Sequence, residues 1–256
     1  MKRKDFAAAG SQLAETLGLG LPNGAPGLDI FAAEAGFGSL WAREELAPND
    51  RIIVVLTTLT CLQRLKQLPS HIGIALNLGI SPRGIQEIIV QSGLYGGMPI
   101  AVEGLDIAAE VFQTRGIELP ELTPEETKAM DDSREDLATQ GREIMADIHN
   151  ERSGDGYAAP DDPATSELYE IAIRYGYGVI WARPGLEWRQ RMFVGIAAFT
   201  ALRLESTLKK FAVSALGQGL TREQVIEAIM QTAPYGGFPP ALIALSQVKT
   251  VLFPEA

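Results

Sequence analysis

Apolar positions in this chain recur at three- and four-residue spacing rather than alternately. Between Asp50 and Leu65 they are Ile52, Ile53, Leu56, Leu59, Leu62 and Leu65, the stripe that one face of an α-helix requires. A second helix is predicted over about 68–78. Gly79 supplies its left-handed stop, and Ser81-Pro82 the N-cap and first-turn proline of a third. Tyr95-Gly96-Gly97-Met98-Pro99 then breaks the chain sharply before a last helix that ends near Phe112. No stretch sustains a period of two, so the predicted fold class is all-α.

The same pattern occurs a second time. The segment from Gly36 realigns without a gap on the segment from Gly176, pairing Gly38 with Gly178, Trp41 with Trp181, Arg43 with Arg183, Leu46 with Leu186, Arg51 with Arg191, Val54 with Val194 and Thr60 with Thr200. Roughly a third of about 75 paired positions are identical, a density that marks a tandem duplication. The second copy specifies the same boundaries with different residues: Gly219 is the stop, and Thr221 with Gln224 forms a capping box. Its Tyr235-Gly236-Gly237-Phe238-Pro239 repeats the break, before a helix ending near Leu252. The predicted organisation is a first repeat over 1–112, a connector over 113–163 and a second repeat over 164–256. The connector holds an acidic stretch, a capping box at Thr123 and Glu126, and one predicted long helix. It reads as connector and not as active site, and its His149 as a solvated helix residue.

Composition narrows the chemistry. A formal charge of −10 removes the counterion-release drive for nucleic acid and for anionic membranes. A single cysteine, Cys61, and two histidines cannot build a disulfide, a CxxC pair or a zinc centre, so neither thiol redox chemistry nor a metal site is expected. No apolar run approaches a membrane span, and Asp5, Gln12 and Glu15 interrupt the N-terminal stretch that a signal peptide would need, which leads to the expectation of a soluble, cytoplasmic protein.

The ordered set Trp-x-Arg, apolar helix, Gly-[Ile/Leu]-[Ser/Thr] and Tyr-Gly-Gly-x-Pro, present at 36–112 and again at 176–252, resembles the carboxymuconolactone decarboxylase family of the alkylhydroperoxidase-like superfamily. The resemblance implies a fused dimer of small helical domains that trimerises into a pseudo-hexamer. It also implies cofactor-free decarboxylation of a small carboxylated lactone. The family pattern places a catalytic histidine four residues after a glutamate. His71 occupies the histidine position here, and Gln67 stands where the glutamate would be. The CxxC centre of the peroxidase-type relatives is missing.

Read from the residues, His71 lies one helical turn after Gln67, so the two share a face, and imidazole suits proton transfer near neutrality. A lone helical histidine also has the plain reading of a buried structural residue. The second copy has Phe211 and Thr207 at these positions, which predicts one working site per chain. Gln67 does not titrate and would orient or bind. Arg43 could hold a substrate carboxylate by two parallel bonds, or with Arg183 could pair with Glu87 and Glu227. Arg51 and Arg191 read as structural, and Gln91 and Gln231 as buried amides. Trp41, Tyr95, Met98 and Phe238 could wall an apolar pocket. Two functions remain open: a lyase acting through His71 on a small cyclic carboxylate or lactone, and a non-catalytic binding or scaffold protein of the same fold.

Overall fold

The computed structural model describes residues 2–119, 121–150 and 162–254, and these hold helices and connecting turns but no strand. The all-α duplication is therefore the fold. In the first repeat, α1 (Arg3–Thr16) is followed by α2 (Leu28–Phe31), which runs directly into a π-helical stretch, Ala32–Trp41. Then come α3 (Pro48–Cys61), α4 (Leu68–Asn77), α5 (Pro82–Gly96) and α6 (Met98–Thr114). Short α7 (Pro124–Lys128) and long α8 (Arg134–His149) follow. The second repeat matches the first: α9 (Ser166–Ile171) runs into π-helical Ala172–Trp181, and α10 (Trp188–Ala201), α11 (Glu205–Gly217), α12 (Arg222–Gln231), α13 (Ala233–Gly236) and α14 (Phe238–Leu252) complete it.

Local chemistry sets these boundaries. Ser81 Oγ accepts the Gly84 amide at 3.0 Å, and Thr221 with Gln224 exchanges bonds of 3.2 and 3.1 Å, so α5 and α12 begin where predicted. The glycines between α5 and α6 and between α13 and α14, Gly97 and Gly237, both sit at φ 103° with extended ψ, a conformation that a side chain would strain. The predicted 50–65 helix stops early, at Cys61, because Gln63 turns into the left-handed region at φ 53°; Arg203 does the same at φ 59° in the second copy. The capping box at Thr123 opens only the five residues of α7. A second box, Ser133 with Asp136, opens the long α8.

Helices α3 and α10 form the centre. From Asp50 to Cys61 and from Arg191 to Ala201 every residue is buried, so both are surrounded on all sides and pack against each other between the repeats. The main core that results is drawn from both copies, and a small second cluster gathers Cys61, Ile100, Ala198 and Ala201.

Helix α8 does more than connect. It lies along the second π-helical stretch as α1 lies along the first, and glycines make both crossings tight. A Cβ on Gly10 would overlap the Ala33 carbonyl, and one on Gly141 that of Ile173. The helix inside the predicted connector is thus the packing counterpart of α1.

Candidate functional site

Two clusters of aromatic side chains, termed the first and second pockets, lie between the repeats, each built from both. In the first, α4 presents His71, only 3% exposed, to the Tyr235 ring of the second repeat, edge to face at 5.4 Å. The Trp41 indole closes the π-helical stretch, stacks on Phe37 at 6.5 Å and donates to the Tyr235 hydroxyl oxygen at 2.9 Å.

His71 Nδ1 lies 2.8 Å from the Gln67 carbonyl oxygen, which can only accept, so Nδ1 carries the proton and Nε2 holds a free lone pair. That Nε2 is buried and has no hydrogen-bond partner. Burial lowers the imidazole pKa below its ordinary 6.5, against the opposing effect of the Gln67 carbonyl, so His71 rests neutral at pH 7. Burial likewise pushes the Tyr235 phenol up and keeps it protonated.

The second pocket repeats the frame with other contents. Trp181 bonds Tyr95 of the first repeat, and Tyr95, pushed up to about 12 by burial, also receives the Gln91 amide at 3.2 Å. Phe211 stands in the histidine position, 4.7 Å from Phe199 and 6.3 Å from Tyr95. His149 packs on Phe211 at 5.0 Å. Its Nδ1 lies 2.6 Å from Ser214 Oγ and its Nε2 2.8 Å from the Tyr177 hydroxyl. This corrects the expectation of a solvated His149: the end of α8 is carried beneath α11 by the Gly141 crossing. Burial, followed by the charge of Lys210, brings its pKa down to about 4.

Cross-paired charges hold the two copies in register. Glu227 accepts Arg43 Nε at 2.6 Å and Arg51 Nη2 at 2.8 Å. Its counterpart Glu87 accepts Arg183 Nε at 2.9 Å and Arg191 Nη2 at 3.3 Å and pairs with Arg83, which reaches Glu126 on α7. Each buried carboxylate thus serves arginines of the opposite repeat, and additional hydrogen bonds run to Gln231, Gln91 and backbone carbonyls; every nitrogen of the Arg51 guanidinium is engaged, whereas Arg191 Nε has no hydrogen-bond partner.

The residues singled out from sequence are therefore distributed. Trp41 and His71 meet through Tyr235. Gln67 is exposed and contributes its backbone oxygen. Arg43 is engaged by Glu227. Tyr95 belongs to the pocket of Phe211. Met98 and Phe238, at the first turns of α6 and α14, are 82% and 45% exposed on the chain surface. Sequence reasoning passed over Tyr235. The signal was available: in a fused dimer with a site between copies, the tyrosine of the Tyr-Gly-Gly motif comes from the opposite copy. An open groove of about 750 Å³ between residues 122–140 and 178–184 includes none of the His71 pocket. Among the described residues no group of three His, Cys, Asp or Glu is arranged to hold a metal ion.

A duplicated helical fold, with pockets shared between its halves and a buried imidazole in one of them, defines a class of small all-α proteins with composite sites. Within that class the chain belongs to the carboxymuconolactone decarboxylase family, which matches it twice, over residues 26–110 and 166–250. It is similar to the 4-carboxymuconolactone decarboxylase of Acinetobacter baylyi, 25% identical over 112 residues that make up 44% of this chain and 84% of that protein. It is also similar to a nitrosuccinic acid decarboxylase of Metarhizium robertsii, 23% identical over 109 residues, 43% of this chain and 76% of that protein.

Proposed function

We propose that this protein is a cofactor-independent carboxy-lyase with one working site per chain, centred on His71. The observation that carries the reading is the buried Nε2 of His71, which lacks a partner while its ring is fixed through Nδ1. A buried polar atom left unmet costs on the order of 1–3 kcal/mol, and a scaffold gives no return for that cost. The second pocket, with Phe211 in the histidine position, offers no such atom on that residue. Both named relatives are decarboxylases, which supports the reaction class.

Decarboxylation asks for little beyond this. When the carboxylate leaves as CO2, its bonding pair remains as a carbanion delocalised into a conjugated carbonyl, and a proton must then reach carbon. A neutral His71 acquires that proton as the anionic substrate binds, because a carboxylate beside the ring favours imidazolium. The substrate is a small cyclic carboxylate or lactone, with the Trp41 and Tyr235 rings as apolar walls. Arg43, shared with Glu227, stands as a further carboxylate contact through its exposed edge, and Gln67 as the group that orients His71.

Self-association belongs to the same reading and is supported by apolar residues left open at equivalent places in both repeats. No described helix is long and apolar enough to cross a membrane. The test of the site is CO2 release from a panel of carboxylated lactones and β-keto acids. His71→Ala and His71→Phe, the latter copying the second pocket, are expected to lower turnover by about 10²-fold or more. Full activity in either removes His71 as the proton carrier.

A further inference from the structure

His71 Nε2 is not the only buried atom without a partner. Gln231, fully buried on α12, has no partner for its Nε2 amide. Its orientation is forced: Oε1 accepts Arg51 Nη1 at 2.9 Å, so the NH2 points the other way. The equivalent residue in the second pocket shows where that leads. There Gln91 Nε2 reaches the Tyr95 hydroxyl at 3.2 Å and the Arg191 carbonyl at 3.1 Å and is satisfied. Gln231 lies one helical turn before Tyr235, as Gln91 does before Tyr95, and its amide makes neither bond.

The Tyr235 hydroxyl is set up to give. Its oxygen already receives the Trp41 N–H, which leaves its own hydrogen to find an acceptor. Arg51 polarises the Gln231 amide through Oε1, making the opposite N–H a stronger donor. The first pocket therefore has donors from the second repeat, Gln231 and Tyr235, and an acceptor from the first, His71 Nε2. The second pocket has Phe211 in place of that acceptor, and its glutamine is already bonded.

We infer that Gln231 and Tyr235 together bind the carbonyl oxygen of the substrate and hold it as it becomes an enolate, while His71 addresses the adjacent carbon. This rests on the decarboxylase reading and gives its substrate a class: a β-oxo acid, or a lactone with its carbonyl β to the departing carboxylate. The bond from the α-carbon to the carboxylate breaks, CO2 leaves, and the electron pair moves to form the enolate, with its oxygen on the Gln231 N–H and the Tyr235 O–H. Imidazolium at His71 then protonates the α-carbon, so one proton from solvent is consumed per CO2 released.

The test uses tetronate, a five-membered lactone that is an enolate at neutral pH, with calorimetry as readout. Wild-type protein is expected to bind it, and Tyr235→Phe and Gln231→Met each to weaken binding about tenfold or more. Tyr95→Phe and Gln91→Met are expected to leave affinity unchanged. Should Gln231→Met fail to fold, Tyr235→Phe and the shift of the Gln231 side-chain amide resonance on adding tetronate to wild type carry the test. Unchanged affinity in Tyr235→Phe overturns the inference, as does equal loss in the Tyr95 and Gln91 variants. The two readings separate cleanly. CO2 release that needs His71, with tetronate binding indifferent to Tyr235, removes this inference alone. Tetronate binding that needs Tyr235, with CO2 release indifferent to His71, upholds the enolate-binding pair and removes His71 as the proton carrier.

Discussion

His71 and His149 are both withdrawn from water, yet only His71 keeps a nitrogen without a bond. His149 is pinned at both ends by Ser214 and Tyr177. A histidine whose folded pKa lies below its ordinary value is a liability in acid: as pH falls below 6.5 the unfolded chain takes up a proton that the folded chain refuses. For His149, held near 4, that loss amounts to about 3 kcal/mol by pH 4, and is absent above pH 7. His149→Gln should therefore flatten the decline in urea-unfolding free energy between pH 7 and pH 4, even where it costs stability at pH 7. An unchanged slope would mean that His149 titrates normally. Legibility at this level was uneven. His71 stood out because the family pattern that marks it is written within one helix, although its neighbour Tyr235 comes from the other repeat. His149 did not, because its burial depends on Ser214, Tyr177 and Phe211, which lie 28 to 65 residues away in sequence.

Helix α8 owes its place to the absence of two side chains. Gly141 and Gly178 allow its backbone to approach the π-helical stretch so closely that a methyl at either would strike a carbonyl oxygen. Gly141→Ala should accordingly cost about 1–3 kcal/mol, the range for overpacking, and a stability loss below 0.5 kcal/mol in chemical unfolding would show that the crossing relaxes freely. The shared helices of the two copies were visible in sequence because period, cap and glycine stop are written within a dozen residues of one another. The π-helical stretches and the equivalence of α8 with α1 were not. The 140-residue register that aligns the repeats slips between these two helices, which Gly10 and Gly141 relate instead, so an ungapped comparison sees only a connector.

At the level of the whole chain, apolar surface recurs by position. Met98 and Phe238 are 82% and 45% exposed, Val102 and Leu242 57% and 64%, and Phe31 and Ile171 55% and 48%. Paired exposure in both halves supports the proposed self-association, and the family resemblance implies that three chains close the ring. Light scattering should give a mass three times the 27.6 kDa of one chain, and Met98→Glu combined with Phe238→Glu should shift it toward the single chain. A monomeric wild type would set the ring aside.

The exchange of buried charges between halves has a consequence for how such a chain can change. In a dimer of identical subunits any substitution is felt twice, once in each pocket, and both pockets must tolerate it. Here Arg51 looks to Glu227 and Arg191 to Glu87, two partnerships with separate codons. Fusion has thus released the two pockets from copying each other, and one could surrender its histidine, take a different one from α8 and fill with phenylalanine while its neighbour kept an imidazole with a nitrogen to spare.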